Sequence, residues 1–94
     1  DNYKLLPDLL IPDDFIDPIT CSLINEPVKI PDVPSFFDRT TIIINIYEVG
    51  KNPYTRKDLT LENFKEYNLQ ENIIEETRIF TDRLNMWKAE NNIK

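Results

Sequence analysis

IPDDFIDPITCSLINEPVKIP, residues 11–31, is the stretch that decides how this chain can fold. It is divided by four prolines, Pro12, Pro18, Pro27 and Pro31. Because proline fixes φ and removes a backbone donor, the stretch cannot form one regular helix. The residue before a proline is biased towards extended backbone, which affects Asp17 and Glu26. We therefore predict a loop with an apolar tip at Pro18 and Ile19, a turn at residues 25–26, and then a strand.

Ile19 leaves two interpretations open. An isoleucine in a small domain usually fills the core, and the residues alone favour that interpretation. An ordered loop that presents an exposed isoleucine would instead form a binding surface. The two interpretations differ in one observable, the exposed fraction of the Ile19 side chain.

Residues 28–37 are predicted to form a strand followed by a turn. Residues 28–30, Val-Lys-Ile, alternate with the period of a half-buried strand. Two prolines, an aspartate and a serine in residues 31–35 then indicate a turn or loop. At least one of Phe36 and Phe37 should be buried, since paired exposed phenylalanines are unusual in a soluble monomer.

The composition indicates a single folded domain. The chain has 94 residues, which leaves no room for a second domain. Its residues are 40% hydrophobic and 30% charged, the profile of a folded protein rather than a disordered one. The net charge is -6 and no basic run occurs, which argues against nucleic acid as a partner. No apolar run approaches the length of a transmembrane helix, so we expect no membrane partner.

Cysteine and histidine usage excludes several kinds of site. The chain has one cysteine, Cys21, and no histidine, so it lacks the four Cys or His ligands of a structural zinc site. Catalysis through a Cys–His or Ser–His pair is excluded for the same reason. Cys21 is expected to be a small packing residue rather than a nucleophile. A lone cysteine also fits a reducing compartment.

Residues 38–50 allow a strand or a helix. Three consecutive isoleucines favour a strand by propensity. Asp38 is a suitable N-cap, however, and Gly50 stands where a helix commonly ends. We therefore predict a helix from about Arg39 to Glu48. Its apolar stripe would contain Ile42, Ile43, Ile46 and Val49, with Asn45 on a neighbouring face and Ile44 pointing partly away.

The second half of the chain is predicted to contain a polar loop and two further helical segments. Residues 51–58 form the loop, in which Arg56 is either a solvated charge or a donor to two surfaces at once. Thr60 can cap a short helical turn over residues 61–67, with Leu61 and Phe64 facing inward.

A longer C-terminal helix is predicted to start at Asn68 or Asn72. A narrow apolar stripe marks it, widened by Ile74, and consists of Ile73, Thr77, Phe80, Leu84 and Trp87. The helix would dock on the domain, or its far end with Met86 and Trp87 would form a dimerisation seam. Leucines around Pro7 in residues 1–10 make that segment an N-terminal flank.

The order of these features resembles the U-box, the zinc-free relative of the RING domain found in ubiquitin ligases. The motifs that carry the resemblance are Ile11-Pro12-Asp13-Asp14-Phe15, Pro18-Ile19, Glu26-Pro27-Val28, Phe37-Asp38-Arg39, Asn52-Pro53-Tyr54-Thr55-Arg56 and Leu59-Thr60. Asp17 stands where many family members have cysteine. The resemblance covers residues from about Ile11 to Phe80.

The resemblance implies a compact α+β fold with two loops, a small antiparallel sheet, a central helix and a C-terminal helix. The domain would span residues 11–80, after a flank at 1–10 and before a helical extension at 81–94. Polar networks would replace the zinc ions of RING domains, so no metal or other cofactor is expected. Asp38 or Arg39 should then be partly structural.

The implied function is that of a ubiquitin-protein transferase of the RING type. Such a domain recruits a ubiquitin-conjugating enzyme charged with ubiquitin and acts as a scaffold, without a covalent intermediate. The implied contacts with the conjugating enzyme are Ile16, Ile19, Cys21, Asn45, Ile46 and Pro53. Arg56 matches the arginine that bridges conjugating enzyme and ubiquitin, so it is the expected catalytic residue.

The expected partners are a conjugating enzyme, ubiquitin and a protein substrate, and a homodimer is a further possibility. The expected location is intracellular, in the cytoplasm. Two alternatives remain open at this stage. One is a U-box-like module that binds a target without ligase activity. The other is a dimerisation domain built on Phe80, Leu84 and Trp87.

Overall fold

A computed structural model describes residues 11–92 of the chain. The predicted flank at residues 1–10 lies outside the described residues, as do residues 93–94. In chain order the elements are a 3₁₀ turn (Asp13–Phe15), β1 (Pro27–Val28), β2 (Phe37–Asp38), α1 (Arg39–Glu48), α2 (Leu61–Asn68) and α3 (Glu71–Glu90). The helices lie beside a two-stranded antiparallel sheet, so the predicted α+β class is confirmed.

Helix α1 forms where the capping signals predicted it, despite the strand propensity of its isoleucines. Gly50 follows the helix with φ of +73°, and its amide donates to the Asn45 carbonyl at 3.3 Å. Glycine adopts this left-handed conformation without the steric cost of a Cβ atom. Val49 was predicted to join the apolar stripe, but it is 56% exposed. The reason is its backbone (φ −121°, ψ −38°), which leaves the helical period at this residue.

Asp38 stands at the N-cap position of α1, yet its side chain does not cap the helix. Its Oδ1 instead accepts hydrogen bonds from the amides of Asn25 at 3.1 Å and Glu26 at 2.9 Å. The carboxylate therefore closes the turn before β1 rather than the first turn of α1. This confirms the expectation that Asp38 is partly structural, by a contact that is distant in the sequence.

The core under α1 joins the sheet to α2. Its buried members are Val28, Ile30, Val33, Phe37, Ile42, Leu59 and Phe64, with Ile43, Ile46 and Leu61 packed against them half-buried. Thr60 caps α2 as predicted, since its hydroxyl accepts from the Asn63 amide at 3.1 Å.

A second core lies between α3 and the N-terminal loop. Its buried members are Phe15, Leu23, Ile24, Phe80 and Leu84. Phe80 stacks on Phe36 with ring centroids 4.2 Å apart and meets Phe15 edge-on at 5.6 Å. Phe80 and Leu84 are therefore buried inside the domain. They are not exposed to form the dimer interface that the dimerisation alternative requires.

Helix α3 begins at Glu71, between the two predicted starts, and continues without a break past residue 80. The predicted division between a domain at 11–80 and an extension at 81–94 stays a prediction. Ile74 does not widen the buried stripe as predicted, because it is 49% exposed. One residue along a helix turns the side chain about 100°, which carries Ile74 away from the face of buried Ile73.

The strand predicted at residues 28–30 is shorter than its alternation suggests. In β1, Pro27 pairs with Asp38 and Val28 with Phe37. The Asn68 side chain then takes the place of a further strand, since its Oδ1 accepts from the Lys29 amide at 3.0 Å and its Nδ2 donates to the Lys29 carbonyl at 2.9 Å.

Lys29 is buried, although the alternation of residues 28–30 predicts that its side chain faces solvent. Its Nζ lies 2.8 Å from Glu76 Oε1 and 5.5 Å from the centre of the Phe36 ring. The paired carboxylate and the aromatic face compensate the lost hydration of the ammonium group. The lysine thereby ties the strand to α3.

Candidate functional site

The first of two matched loops spans residues 17–22. Asp17 Oδ1 accepts hydrogen bonds from the amides of Ile19 at 2.7 Å and Thr20 at 3.1 Å. The Asp17 amide donates to the Ser22 carbonyl, and the Cys21 amide donates to the Asp17 carbonyl, both at 2.8 Å. Cys21 adopts a left-handed conformation with φ of +58°. Asp17 therefore organises the backbone of the whole first loop.

The second loop, residues 52–57, repeats this arrangement. Asn52 Oδ1 accepts from the amides of Tyr54 at 2.8 Å and Thr55 at 3.1 Å. The Asn52 amide donates to the Lys57 carbonyl at 2.8 Å, and the Arg56 amide donates to the Asn52 carbonyl at 3.0 Å. Arg56, like the residue at the same place in the first loop, is left-handed, with φ of +66°.

The repeat extends to the residues that flank each loop. A single antiparallel bridge closes the base of each one, Ile16 to Leu23 in the first and Lys51 to Asp58 in the second. The sequences DPITCS and NPYTRK share the pattern Asx-Pro-x-Thr. That short pattern is the sequence signal for the repeat, and our sequence analysis did not detect it.

The second polar atom of the Asx side chain differs between the two loops. This difference explains why the first loop has aspartate and the second has asparagine. Asp17 Oδ2 accepts from the Asp38 amide at 2.8 Å, which ties the first loop to the start of α1. Asn52 Nδ2 donates to the Pro31 carbonyl at 2.9 Å, which ties the second loop to the end of the 11–31 stretch. Both side chains are buried, so each position requires the atom that it has.

Exchanging these atoms should destabilise the fold. In Asp17→Asn an amide N–H would face the Asp38 N–H, and in Asn52→Asp a carboxylate oxygen would face the Pro31 carbonyl. We expect each change to lower the free energy of unfolding by about 1–3 kcal/mol, measured by urea denaturation. The exposed exchange Asp58→Asn is the matched control and should change it by less than about 0.5 kcal/mol. If both exchanges changed the free energy of unfolding as little as the control does, these hydrogen bonds would not organise the loops.

An open depression of about 410 Å³ lies between the first loop and α1. Its walls include Ile19 and Thr20 from the loop and Thr41, Ile44, Asn45 and Glu48 from the helix. Ile19 is 44% exposed, so the interpretation that the residues alone favoured, a core isoleucine, is wrong. The hydrogen bonds of Asp17 turn the loop so that Ile19 forms part of an outer wall.

The predicted contact residues are only partly brought together here. Ile19 and Asn45 line this depression. Ile16 lines a separate depression with Pro18, Phe36 and Phe80. Ile46 is half-buried and packs against the core under α1.

The remaining predicted contacts lie in the two loops. Cys21 is exposed, so the expectation that it packs inside the domain is wrong. Pro53 is half-buried and Arg56 is exposed. Within residues 11–92 the Arg56 guanidinium makes no hydrogen bond or ion pair. All of these assignments to a partner stay predictions.

Several residues of the depression, among them Thr41 and Glu48, were missed by sequence reasoning. Thr41, Ile44 and Glu48 stand one helical turn apart on α1 and share a face with Asn45. Ile44 was predicted to point partly away from the buried stripe and is 50% exposed, and an apolar residue in that position indicates a second contact. Glu48 adds an exposed carboxylate to that wall.

Metal-binding clusters and membrane-spanning helices are both missing from residues 11–92. Between residues 11 and 92 no group of three or more His, Cys, Asp or Glu side chains could hold a metal ion. In the same range no helix is both long and apolar enough to span a membrane. The site consists of an apolar depression, two preorganised loops and an exposed arginine, Arg56, whose guanidinium has no partner within residues 11–92.

Comparison with known proteins identifies this arrangement. A search of curated proteins finds no match to the chain. The family model for the U-box domain matches residues 11–76, which includes both loops, the sheet, α1, α2 and the start of α3. Domains of this kind are generally ubiquitin ligase modules that bind conjugating enzymes. Because the match covers well over half of the sequence, the chain belongs to the U-box family.

Proposed function

We propose that this domain recruits a ubiquitin-charged conjugating enzyme and promotes transfer of ubiquitin to a substrate lysine. The observation that carries the proposal is the exposed isoleucine, Ile19, beside an open depression on α1. Burial of its exposed part by a partner would contribute about 1 kcal/mol. The surface around it suits a small, transient interface, below about 1,200 Å² in total.

The first loop is preorganised for such contact. Because Asp17 fixes the amides on both sides of the loop tip, Ile19 does not have to be ordered when the partner binds. Ordering a side chain or loop on binding reduces affinity, so a loop that is already ordered retains more of the contact energy. The same reasoning applies to Pro53 in the second loop, which Asn52 organises in the same way.

Arg56 is the proposed catalytic residue. A left-handed conformation costs a non-glycine residue about 1–2 kcal/mol, and asparagine or glycine would reduce that cost. We attribute the choice of arginine at such a position to its side chain rather than to backbone preference. The free guanidinium has a planar set of donors that can bridge two protein surfaces.

The proposed chemistry requires orientation only. The lysine amine attacks the thioester carbonyl and forms a C–N bond. The C–S bond breaks with its electron pair going to sulfur, and the proton lost by the amine converts the leaving thiolate of the conjugating enzyme into a thiol. The domain contributes no atom to these bonds. It holds the charged enzyme and ubiquitin in one reactive arrangement, which is catalysis by positioning.

The proposal is tested by discharge of ubiquitin from a panel of charged conjugating enzymes, with free lysine as acceptor. We expect the domain to accelerate discharge for at least one enzyme of the panel relative to the enzyme alone. Binding of an enzyme without any acceleration would favour the alternative of an interaction module without ligase activity. Neither binding nor acceleration across a broad panel would contradict recruitment itself.

A further inference from the structure

Asn45 joins the end of α1 to the base of the second loop. Its backbone carbonyl accepts hydrogen bonds from the amides of Val49 at 2.8 Å and Gly50 at 3.3 Å, where the helix ends. Its side-chain Nδ2 donates to the Lys51 carbonyl at 2.7 Å. One residue therefore fixes the chain from the last turn of α1 to the bridge between Lys51 and Asp58 that closes the second loop.

Helix propensity does not explain an asparagine inside α1. Asparagine is among the poorer helix formers, because its side chain competes for backbone hydrogen bonds. In this helix the side-chain amide reaches past the last turn to a carbonyl of the next segment. Asn45 also lines the depression, together with Ile44. The same side chain therefore borders both the depression and the second loop.

The two loops are attached to opposite ends of α1. The first loop is tied to the start of the helix, because Asp17 Oδ2 accepts from the Asp38 amide at 2.8 Å. The second loop is tied to the end of the helix through Asn45. Helix α1 has ten residues, which at 1.5 Å per residue make it about 15 Å long. It therefore acts as a rigid spacer between the two loops.

The other bonds of the second loop hold different segments. Asn52 ties the loop to Pro31, and the ion pair of Lys51 with Asp58 at 2.9 Å closes the loop on itself. Without the Asn45 bond, the loop would keep these contacts but lose a fixed place beside α1. Where catalysis depends on orientation, a displacement of about 1 Å can lower a rate about 100-fold.

We propose that Asn45 is a positioning residue for ubiquitin transfer, which acts through the second loop and its Arg56 rather than by contact with the conjugating enzyme. This inference rests on the proposed function, in which Arg56 acts on the charged enzyme. It gives a different role to a residue that the family resemblance predicted as an enzyme contact. Loss of the Asn45 bond displaces Arg56, so it lowers the rate of transfer and leaves recruitment intact.

The first test compares binding with discharge in Asn45→Ala, a change that favours the helix. The affinity for the uncharged conjugating enzyme, measured by calorimetry, should stay within about two-fold of wild type. Discharge of ubiquitin to free lysine at saturating domain should fall about five-fold, the effect of losing one hydrogen bond that holds the loop. Asn85→Ala makes the same exchange at an exposed position of α3 and should change neither quantity.

The second test is a double-mutant cycle, since residues that act through one another give losses that do not add. If Asn45 acts through Arg56, adding Asn45→Ala to Arg56→Ala should slow discharge by less than about 1.5-fold further. Losses that multiply, or an affinity that falls as far as the rate, would make Asn45 a partner contact and overturn the inference. If Asn45→Ala does not melt cooperatively, Asn45→Asp replaces it in both tests, because it retains the side-chain size and cannot donate to Lys51.

The remaining outcomes separate this inference from the proposed function. Wild-type discharge by either Asn45→Ala or Arg56→Ala would overturn the role of Asn45, while recruitment and transfer by the wild-type domain would stand. A wild-type domain that accelerates discharge from no enzyme of the panel would overturn the proposed transfer, and this inference with it.

Discussion

Replacement of Ile19 by alanine should reduce ubiquitin transfer about five-fold and leave the melting temperature within a few degrees of wild type. The side chain is 44% exposed in the wall of the depression, and the loop that carries it is held by Asp17 rather than by Ile19. Truncation therefore removes a partner contact without opening a cavity in the core. Transfer is measured as discharge of a charged conjugating enzyme, and stability by thermal unfolding.

Two other isoleucines are the controls for this prediction. Ile79→Ala removes a side chain of nearly equal exposure, 47%, from α3, and transfer should be retained. Ile24→Ala removes a fully buried side chain and should cost about 2–5 kcal/mol in unfolding free energy. If Ile19→Ala destabilised the domain as Ile24→Ala does, Ile19 would be a core residue, and the depression would lose its main contact.

The fold was largely predictable because the residues that end its helices and exclude regular helix act on neighbouring residues. Gly50 follows the end of α1 and Thr60 caps the start of α2, at the residues that capping rules indicate. Prolines exclude regular helix through the 11–31 stretch in the same direct way. These signals act within a few residues, so a single sequence contains them in full.

The failures share a different cause, which is contact between distant segments. Lys29 appears solvent-facing by alternation, but Glu76 and Phe36, far away in sequence, provide its buried environment. Asp38 was expected to cap its own helix, and it binds the amides of Asn25 and Glu26 instead. No local pattern contains either partner.

The candidate site was predictable in part, through residues whose position is set by a turn. The Pro18-Ile19 tip was identified from its prolines, but its exposure depends on the hydrogen bonds of Asp17. Ile16, only three residues earlier, lines a different depression, because Ile16 lies in the bridge at the base of the first loop and Ile19 lies near the tip of that loop. A family motif places both residues in one segment and cannot distinguish the two surfaces.

Arg56 provides the prediction that separates binding from catalysis. If its donors act mainly in the closed arrangement of conjugating enzyme and ubiquitin, they raise the rate without tightening the ground-state complex. Arg56→Ala should leave the affinity for the uncharged enzyme within a few-fold of wild type. Discharge of ubiquitin to free lysine should fall about ten-fold or more, a loss of roughly 1.4 kcal/mol from transition-state stabilisation.

Three further variants sharpen the test of Arg56. Arg56→Lys should restore little activity, because an ammonium group cannot present a planar fork of donors. Arg56→Gly relieves the left-handed conformation, so the melting temperature should be unchanged or raised while discharge still falls. Lys57→Ala removes one positive charge from the same loop and should discharge ubiquitin at the wild-type rate, since Lys57 makes only an exposed 3.6 Å ion pair with Asp32.

The combination of these results decides what the left-handed arginine is for. A glycine variant that is at least as stable as wild type but slow in transfer would mean that the strained backbone is retained for the guanidinium, not for the loop. Wild-type discharge by Arg56→Ala would have the opposite meaning. Arg56 would then be a solvated loop charge, and any activation of the thioester would have to come from the contacts made by Ile19 and α1.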